Sequence, residues 1–339
     1  MVQRKTATMV ALLAALLSAA GCQHAAAPAT APAVARPLAH PATETAWSFG
    51  GAQGRQLTSH HYRVLTTTAR QGAGNTIVGF LEAARAYYVD LTGLQAVQPL
   101  DGDKLVVYLF QTRQEWAALT ERITGQSRDT VLKVRAGGYC YRGVCVFWDI
   151  GTIHTYSVAA HEGLHQFLHH ATRHRLPHWV DEGLAVLAEG FRFDGQVVTF
   201  EPSDNLLRIN TLRNALLGDR WRTAERLTSM TSMQNLEESP FNGGDYYAQF
   251  WAMLLLIRSD ASYTAGLHRM CRDAADGTLA ESLGITPLAY RRLLRDPSAY
   301  AAEVGPRAFQ HYIDDDLERF ERRYVAFARE LAHLPTRKR

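Results

Sequence analysis

The pattern of hydrophobic and polar positions divides the chain into a first half with strands and a second half that is helical. Residues 62–67 are rich in β-branched and aromatic side chains, and Leu105–Phe110 is continuously apolar, as in a strand buried on both faces. Helices with apolar residues at helical spacing are predicted from Asn75 and over residues 114–122. Strands that alternate with helices predict a first half built on a mixed sheet.

Two β-hairpins are predicted where turn residues separate short runs of strand-forming residues. The first spans residues 138–148 and turns at residues 142–143. The second spans residues 191–200 and turns at residues 194–195, an Asp-Gly pair. Both hairpins add antiparallel strands to the predicted fold.

From Thr152 onward the hydrophobic pattern has a helical period. Between Phe309 and Leu331 apolar residues recur every three or four positions, which predicts one long amphipathic helix behind Pro306. The acidic run at residues 314–316 is interpreted as part of its solvated face, since helical backbone cannot wrap a calcium ion. The expected fold class is therefore α+β, with an N-terminal mixed sheet and its helices followed by a mainly helical half.

Composition and charge exclude several classes of protein. With 339 residues, of which 47% are hydrophobic, the chain can bury a sizeable core, so a largely disordered chain is excluded. Its net charge of +3 is too small for a nucleic-acid binder that neutralises many phosphates. Four cysteines are too few for a disulfide scaffold. A globular protein remains, and the N-terminus predicts where it works.

The first 21 residues are typical of a secretory signal peptide. Arg4 and Lys5 precede a short apolar stretch over residues 9–17, and small residues follow as far as Cys22. This ending resembles the bacterial lipobox, which implies that Cys22 carries a lipid and becomes the first residue. Cleavage after Ala20 by an ordinary signal peptidase is the alternative. We expect an exported lipoprotein that is anchored to the membrane through its N-terminal lipid.

A tether is expected between the lipid and the folded body. Residues 22–46 combine alanines with four prolines, a composition typical of an extended linker. The residue after the lipidated cysteine is Gln23 rather than aspartate, which favours a lipoprotein of the outer membrane that faces the periplasm. One folded unit is predicted over residues 47–335, with an α/β half at 55–175 and a helical half at 176–335.

Export also affects how the cysteines are interpreted. In the predicted register of the first hairpin, Cys140 and Cys145 are directly opposed, and an oxidising compartment favours a disulfide between them. Such a bond would fix the shape of the hairpin, and two reduced thiols are the alternative. Cys271 has no evident partner and is expected to be a buried apolar side chain.

His161, Glu162 and His165 carry the strongest chemical signal in the sequence. Histidines four residues apart lie on one face of a helix, about 6 Å apart along its axis, so both imidazoles can bind one metal ion. The glutamate is then within reach of a water on the metal; zinc lowers the pKa of that water, and the carboxylate can take its proton. A helix with scattered histidines is the alternative, because the chain contains 14 of them.

A third ligand is predicted near the start of the next helix, behind Pro177. Asp181 or Glu182 could return to the same ion, and spacing alone does not choose between them. Two histidines and a carboxylate leave a fourth position for water, which is the catalytic rather than the structural zinc arrangement. A third histidine ten residues after His161 is excluded, because that position is Ala171.

The motifs His-Glu-Gly-Leu-His and Trp-Val-Asp-Glu-Gly together resemble those of the gluzincins, the zinc metallopeptidases of clan MA. The closest resemblance is to a group of exported bacterial lipoproteins with a Trp-x-x-Glu-Gly second motif. It covers most of residues 55–335, although only the two metal motifs are specific. It implies a zincin-like fold and one Zn²⁺ ion bound by His161, His165 and Glu182. It also implies that Glu162 acts as general base and later as proton donor.

The resemblance implies further roles outside the metal ligands. In gluzincins the substrate backbone binds antiparallel to an edge strand of the sheet. The predicted hairpin at residues 139–148 is the candidate for this strand. A tyrosine or histidine of the helical half donates to the oxyanion, with Tyr247 as first candidate and Tyr246 as second. By its spacing alone, Glu189 lies on the same helix face as Glu182 and is a candidate to orient a ligand. Core packing of the tyrosines and simple exposure of Glu189 are the alternatives.

We therefore expect a membrane-tethered, zinc-dependent peptidase that hydrolyses a peptide or protein substrate in the cell envelope. An endopeptidase is favoured, because no motif for capturing a substrate N-terminus is evident. One alternative is a catalytically inactive, zincin-like binding or scaffold lipoprotein of the envelope, and another is a structural lipoprotein without metal. Residues 201–245 form a long connection whose role the sequence does not indicate.

Overall fold

The computed structural model describes a chain that combines sheets with many helices. The described residues are 33–39, 43–69, 73–95, 104–132, 137–238 and 243–335. The predicted signal peptide and the lipidation at Cys22 lie outside these residues. Among the helices within them, none is both long enough and apolar enough to cross a membrane.

The described strands form two sheets. In chain order they are β1 Val34–Pro37, β2 Thr43–Phe49, β3 Ala52–Thr58, β4 Tyr62–Thr66, β5 Leu105–Phe110, β6 Gly138–Tyr141, β7 Val144–Trp148, β8 Phe191–Phe193 and β9 Val197–Phe200. The larger sheet has the order β2-β3-β4-β5-β7-β6, and the smaller has the order β1-β9-β8. β5 is parallel to both β4 and β7, whereas the other pairs are antiparallel, so the larger sheet is mixed as predicted.

Helices cover the larger sheet and form most of the second half of the chain. They are α1 Ala73–Thr92, α2 Arg113–Thr124, α3 Arg128–Val131, α4 Thr152–Ala171, α5 His178–Ala188, α6 Leu206–Leu217, α7 Ala224–Ser229, α8 Ser232–Glu238, α9 Gly243–Ser259, α10 Ala261–Asp276, α11 Leu279–Ser282, α12 Pro287–Leu293, α13 Pro297–Tyr312 and α14 Leu317–Leu331. α4 packs against α1, β6 and β7, and α5 contacts both α4 and α9. The two halves of the chain therefore meet at α4 and α5, which carry the two metal motifs.

Both predicted hairpins are confirmed, but the predicted disulfide is absent. β6 and β7 flank the turn at residues 142–143, and Cys140 lies opposite Cys145 as expected. Both thiols are nevertheless free. The sulfur of Cys145 is buried against α4 and donates a hydrogen bond to the carbonyl oxygen of Glu162 at 3.3 Å. Cys271 is fully buried, as expected of an apolar side chain.

Two glycines allow the helices around the metal motifs to pack closely. A Cβ on Gly163 of α4 would lie 2.6 Å from the hydroxyl of Tyr88 on α1, which donates to the Ala160 carbonyl at 2.8 Å. A Cβ on Gly183 of α5 would lie 2.4 Å from a side-chain carbon of Leu254 on α9. Any larger residue at these positions would force the side chain of Tyr88 or Leu254 to shift.

The prediction of one long C-terminal helix is wrong. Residues 313–316 separate α13 from α14. Asp314 is buried, accepts a hydrogen bond from the hydroxyl of Tyr263 and forms an ion pair with Arg319. Asp316 caps α14, since its side chain accepts a hydrogen bond from the Arg319 backbone. The acidic run is therefore a helix break with one buried member, and not a solvated helix face.

The prediction that residues 22–46 form an extended tether is wrong for two segments. β1 pairs antiparallel with β9 along its whole length, and Arg36 of β1 forms an ion pair with Asp90 of α1. Residues 43–46 already belong to β2. The folded part of the chain therefore begins before the predicted boundary at residue 47.

Candidate metal centre

Two histidines of α4 lie on one face of the helix, as their spacing predicts. His161 and His165 are one turn apart, and their ring centroids are separated by 4.9 Å. His161 is only 5% exposed. The two imidazoles therefore point toward a common position that is shielded from solvent.

Helix α5 brings a carboxylate to the two imidazoles. Oε2 of Glu182 lies 3.5 Å from Nε2 of His161 and 3.8 Å from Nε2 of His165. The three ligand atoms all lie within 4.8 Å of one another, and Glu182 is 4% exposed. These three side chains, of which His161 and Glu182 are buried and His165 is partly buried, could hold a metal ion.

Unsatisfied polar atoms mark the same position. His161 Nε2, His165 Nε2 and Glu182 Oε2 are buried and have no hydrogen-bond partner. Each such atom costs about 1–3 kcal/mol when it is left unpaired away from water. A divalent cation would take an electron pair from all three, so the donor set fits a metal ion.

Each histidine has a carboxylate at its other ring nitrogen. Nδ1 of His161 lies 2.8 Å from Oε1 of Glu189, and Nδ1 of His165 lies 2.8 Å from Oδ1 of Asp181. When Nδ1 donates to a carboxylate, Nε2 presents its lone pair to the metal position. The structure thus places Glu189 where its spacing suggested. Asp181, one of the two candidate ligands, orients a ligand instead.

Arg208 of α6 belongs to the same network, although no sequence pattern points to it. Its guanidinium donates to both Glu189 oxygens at 2.7–3.1 Å and lies 5.6 Å from the centroid of the Tyr247 ring. Burial raises the pKa of Glu189, but the charge of Arg208 and the hydrogen bond from His161 lower it overall. The connection at residues 201–245 therefore contributes to the site through this arginine.

The candidate metal ligands shift one another's pKa values. Burial lowers the pKa of His161, but the Glu182 carboxylate 3.5 Å away and the hydrogen bond with Glu189 outweigh it and raise the pKa to about 9. Burial raises the pKa of Glu182, but the adjacent imidazole of His161 and the charges of His165 and His178 lower it to about 2. A metal ion that binds here must therefore displace protons from the imidazoles.

Glu162 lies beside the two imidazoles and is completely buried. Burial raises its pKa, and the charges of His161 and His165, with the nearby backbone N–H of Cys140, oppose this rise only in part. Neither carboxylate oxygen has a hydrogen-bond partner. A carboxylate with a raised pKa beside the metal position is suited to accept a proton and to return it.

Of the two candidate tyrosines, Tyr247 is the one whose ring faces the metal ligands. Its ring centroid lies 6.1 Å from that of His161. Its hydroxyl lies 3.4 Å from Oγ of Ser232, which in turn lies 2.9 Å from Nε2 of His178. The hydroxyl of Tyr246 instead donates to a backbone carbonyl, and its side chain is fully buried in the core.

Strand β6 lies at one edge of the larger sheet, next to the site. It pairs with β7 on one side, and the order of the described strands ends with it. Cys140 of β6 lies opposite Cys145, whose sulfur contacts the carbonyl of Glu162. The edge of the predicted hairpin therefore passes Glu162.

No known protein family, curated protein or solved structure matches the chain. The resemblance to the gluzincins rests on the two sequence motifs.

Proposed function

We propose that the protein is a zinc-dependent peptidase with a gluzincin-like site on a zincin-like fold. One observation carries the proposal. Three buried ligand atoms without hydrogen-bond partners, from His161, His165 and Glu182, converge beside the unpaired carboxylate of Glu162. Two imidazoles, one carboxylate and an open fourth position form a ligand set of catalytic zinc sites. A structural zinc site has no use for a further unpaired carboxylate beside its ligands.

The residues around the metal position have distinct roles in the proposed hydrolysis. Bound zinc supplies a Lewis acid, which polarises the scissile carbonyl and lowers the pKa of water. Glu162 takes a proton from the attacking water and passes it to the leaving amine. The Tyr247 hydroxyl donates to the oxyanion of the substrate, and β6 binds the substrate backbone in an antiparallel direction.

The proposed substrate is a peptide or protein of the cell envelope. The protein reaches it as an exported lipoprotein that is tethered to the membrane through Cys22. Cleavage of internal peptide bonds is favoured, because no motif in the sequence would capture a substrate N-terminus. The open edge of β6 is consistent with a substrate that continues on both sides of the cleaved bond.

The test compares zinc-loaded wild-type protein with the Glu162→Gln variant on a mixed peptide library. We expect the variant to bind zinc as well as wild type does, because Glu162 is not a ligand. Its cleavage rate should fall by about 10²–10⁴, because the general base is lost. Glu303→Gln, at an exposed position on α13, is the control and should cleave like wild type. Zinc-loaded wild-type protein that cleaves nothing would favour the inactive scaffold.

A further inference from the structure

A cavity of about 420 Å³ opens beside the metal ligands, at the C-terminal end of α4. His165 and Asp181 form the part of its wall that is shared with the metal centre. The rest of the wall comes from the last turn of α4, the segment that connects α4 to α5, and Tyr290 and Leu294. The cavity is therefore adjacent to the proposed site of cleavage.

The wall of this cavity carries a net positive charge. Arg173 and Arg175 line it and are exposed, and neither is ion-paired with a carboxylate in the described part of the chain. Asp181 is the one acidic residue of the wall, and it is hydrogen-bonded to His165. Burial lowers the pKa of two other histidines in the wall, so they add no charge near neutral pH. Two guanidiniums thus outweigh one carboxylate.

Hydrogen bonds between the β6–β7 hairpin and α4 establish the direction in which β6 passes the site. Cys145, the cross-strand partner of Cys140, contacts the carbonyl of Glu162. Gly143, in the turn that follows β6, accepts a hydrogen bond from Gln166 at 2.8 Å. β6 therefore runs toward the C-terminal end of α4. A substrate antiparallel to β6 runs the other way, so its N-terminal part lies at the end of α4 where the cavity opens.

We propose that this cavity binds an acidic side chain of the substrate, N-terminal to the cleaved bond, through Arg173 and Arg175. The proposal rests on the proposed peptidase function and adds the class of substrate. Guanidinium groups bind carboxylates through paired, charge-assisted hydrogen bonds. A C-terminal carboxylate of the substrate is a poor candidate, because it lies on the opposite side of the cleaved bond.

The test measures peptide binding to the zinc-loaded Glu162→Gln variant, which separates recognition from cleavage. The probes are fluorescein-labelled octapeptides with blocked termini that differ only by Glu, Gln or Lys at one position in their N-terminal half. We expect at least one position at which the Glu peptide binds about tenfold more tightly than the Lys peptide. Adding Arg173→Glu and Arg175→Glu should abolish or reverse this preference. Adding Arg272→Glu instead, at an exposed position of α10 outside the cavity, should leave it unchanged.

The outcomes distinguish this proposal from the proposed function. The cavity proposal would be overturned if peptide binding did not depend on peptide charge. It would also be overturned if the preference for Glu survived both Arg→Glu substitutions in a protein with an unchanged circular dichroism spectrum. Wild-type protein that cleaves peptides without any acidic preference would overturn the cavity assignment and leave the peptidase function intact. Acid-selective binding by a protein that hydrolyses nothing would contradict the peptidase and support the cavity.

Discussion

At the scale of single residues, the candidate metal ligands of α4 are held by side chains from α5, its C-terminal cap and α6. His161 is fixed by Glu189, which is itself held by Arg208 of α6. His165 is fixed by Asp181 at the other side of the site. Because each ring would lose a hydrogen bond on rotating, both Nε2 atoms are kept directed at the same position before any ion arrives.

We expect loss of either orienting carboxylate to weaken zinc binding while leaving the ligands in place. Glu189→Gln and Asp181→Asn should each raise the dissociation constant for zinc by about 10–100-fold, because the amide no longer fixes the ring and its tautomer. Competition with a chromophoric chelator measures this. The exposed Glu303→Gln variant is the control. Unchanged zinc affinity in both orienting variants would contradict the assigned roles.

Tyr247 and Tyr246 offer a matched pair of substitutions for the oxyanion donor. Tyr247→Phe should lower kcat by about 10²–10³ with little change in KM or zinc content, because its hydroxyl acts only once negative charge develops on the substrate. Tyr246→Phe removes a hydroxyl that is bonded to a backbone carbonyl, so it should affect stability but not kcat. Steady-state kinetics of both variants check this, and equal kcat values would remove Tyr247 from the mechanism.

At the scale of elements, Glu82 links α1 to the segment that leads into β4. Its carboxylate accepts hydrogen bonds from the Ser59 hydroxyl at 2.6 Å and the His61 backbone at 2.8 Å, and it pairs with the His61 ring at 2.6 Å. Burial raises the pKa of Glu82, but these hydrogen bonds lower it to about 2. The link is therefore strongest when the carboxylate is ionised.

This link predicts a specific loss of stability in acid. The pKa of Glu82 is lower in the folded protein than its usual 4.5. The ionised carboxylate therefore contributes fully to the free energy of unfolding above pH 4.5, and this contribution is lost as the pH falls toward about 2. We expect this contribution to the free energy of unfolding to be about 1–2 kcal/mol, because solvent screens the charge of this half-buried group. Urea unfolding of wild type and Glu82→Gln near pH 7 and near pH 3 measures it. The free energies of the two proteins should converge in acid, and a constant difference between them would contradict the prediction.

Elements that form through local interactions could be predicted from the sequence, whereas elements that depend on contacts between distant residues could not. The helical spacing of His161 and His165 and the hairpin turns are local, so the sequence was sufficient for them. The break before α14 depends on the contact of Asp314 with Tyr263, and β1 depends on pairing with β9, far along the chain. Arg208 was missed for the same reason, since the tertiary fold alone brings it to Glu189.

At the scale of the whole molecule, the candidate site lies where the sheet-containing half meets the helical half. The first half supplies β6 and α4, with the two histidines and Glu162, and the second supplies Glu182, Arg208 and Tyr247 from three helices. The ligand set therefore forms only when both halves fold together. Binding of zinc should for this reason stabilise the whole chain against unfolding.

We propose that one zinc ion is bound by Nε2 of His161, Nε2 of His165 and a carboxylate oxygen of Glu182. The most direct test is a crystal structure of the zinc-loaded protein with anomalous diffraction recorded at the zinc edge. We expect one strong peak per chain at about 2.0–2.2 Å from all three ligand atoms, with an open position facing Glu162. A zinc-loaded crystal with no peak between the two imidazoles would contradict this assignment of the zinc ligands. A peak there with Glu182 turned away from it would also contradict it.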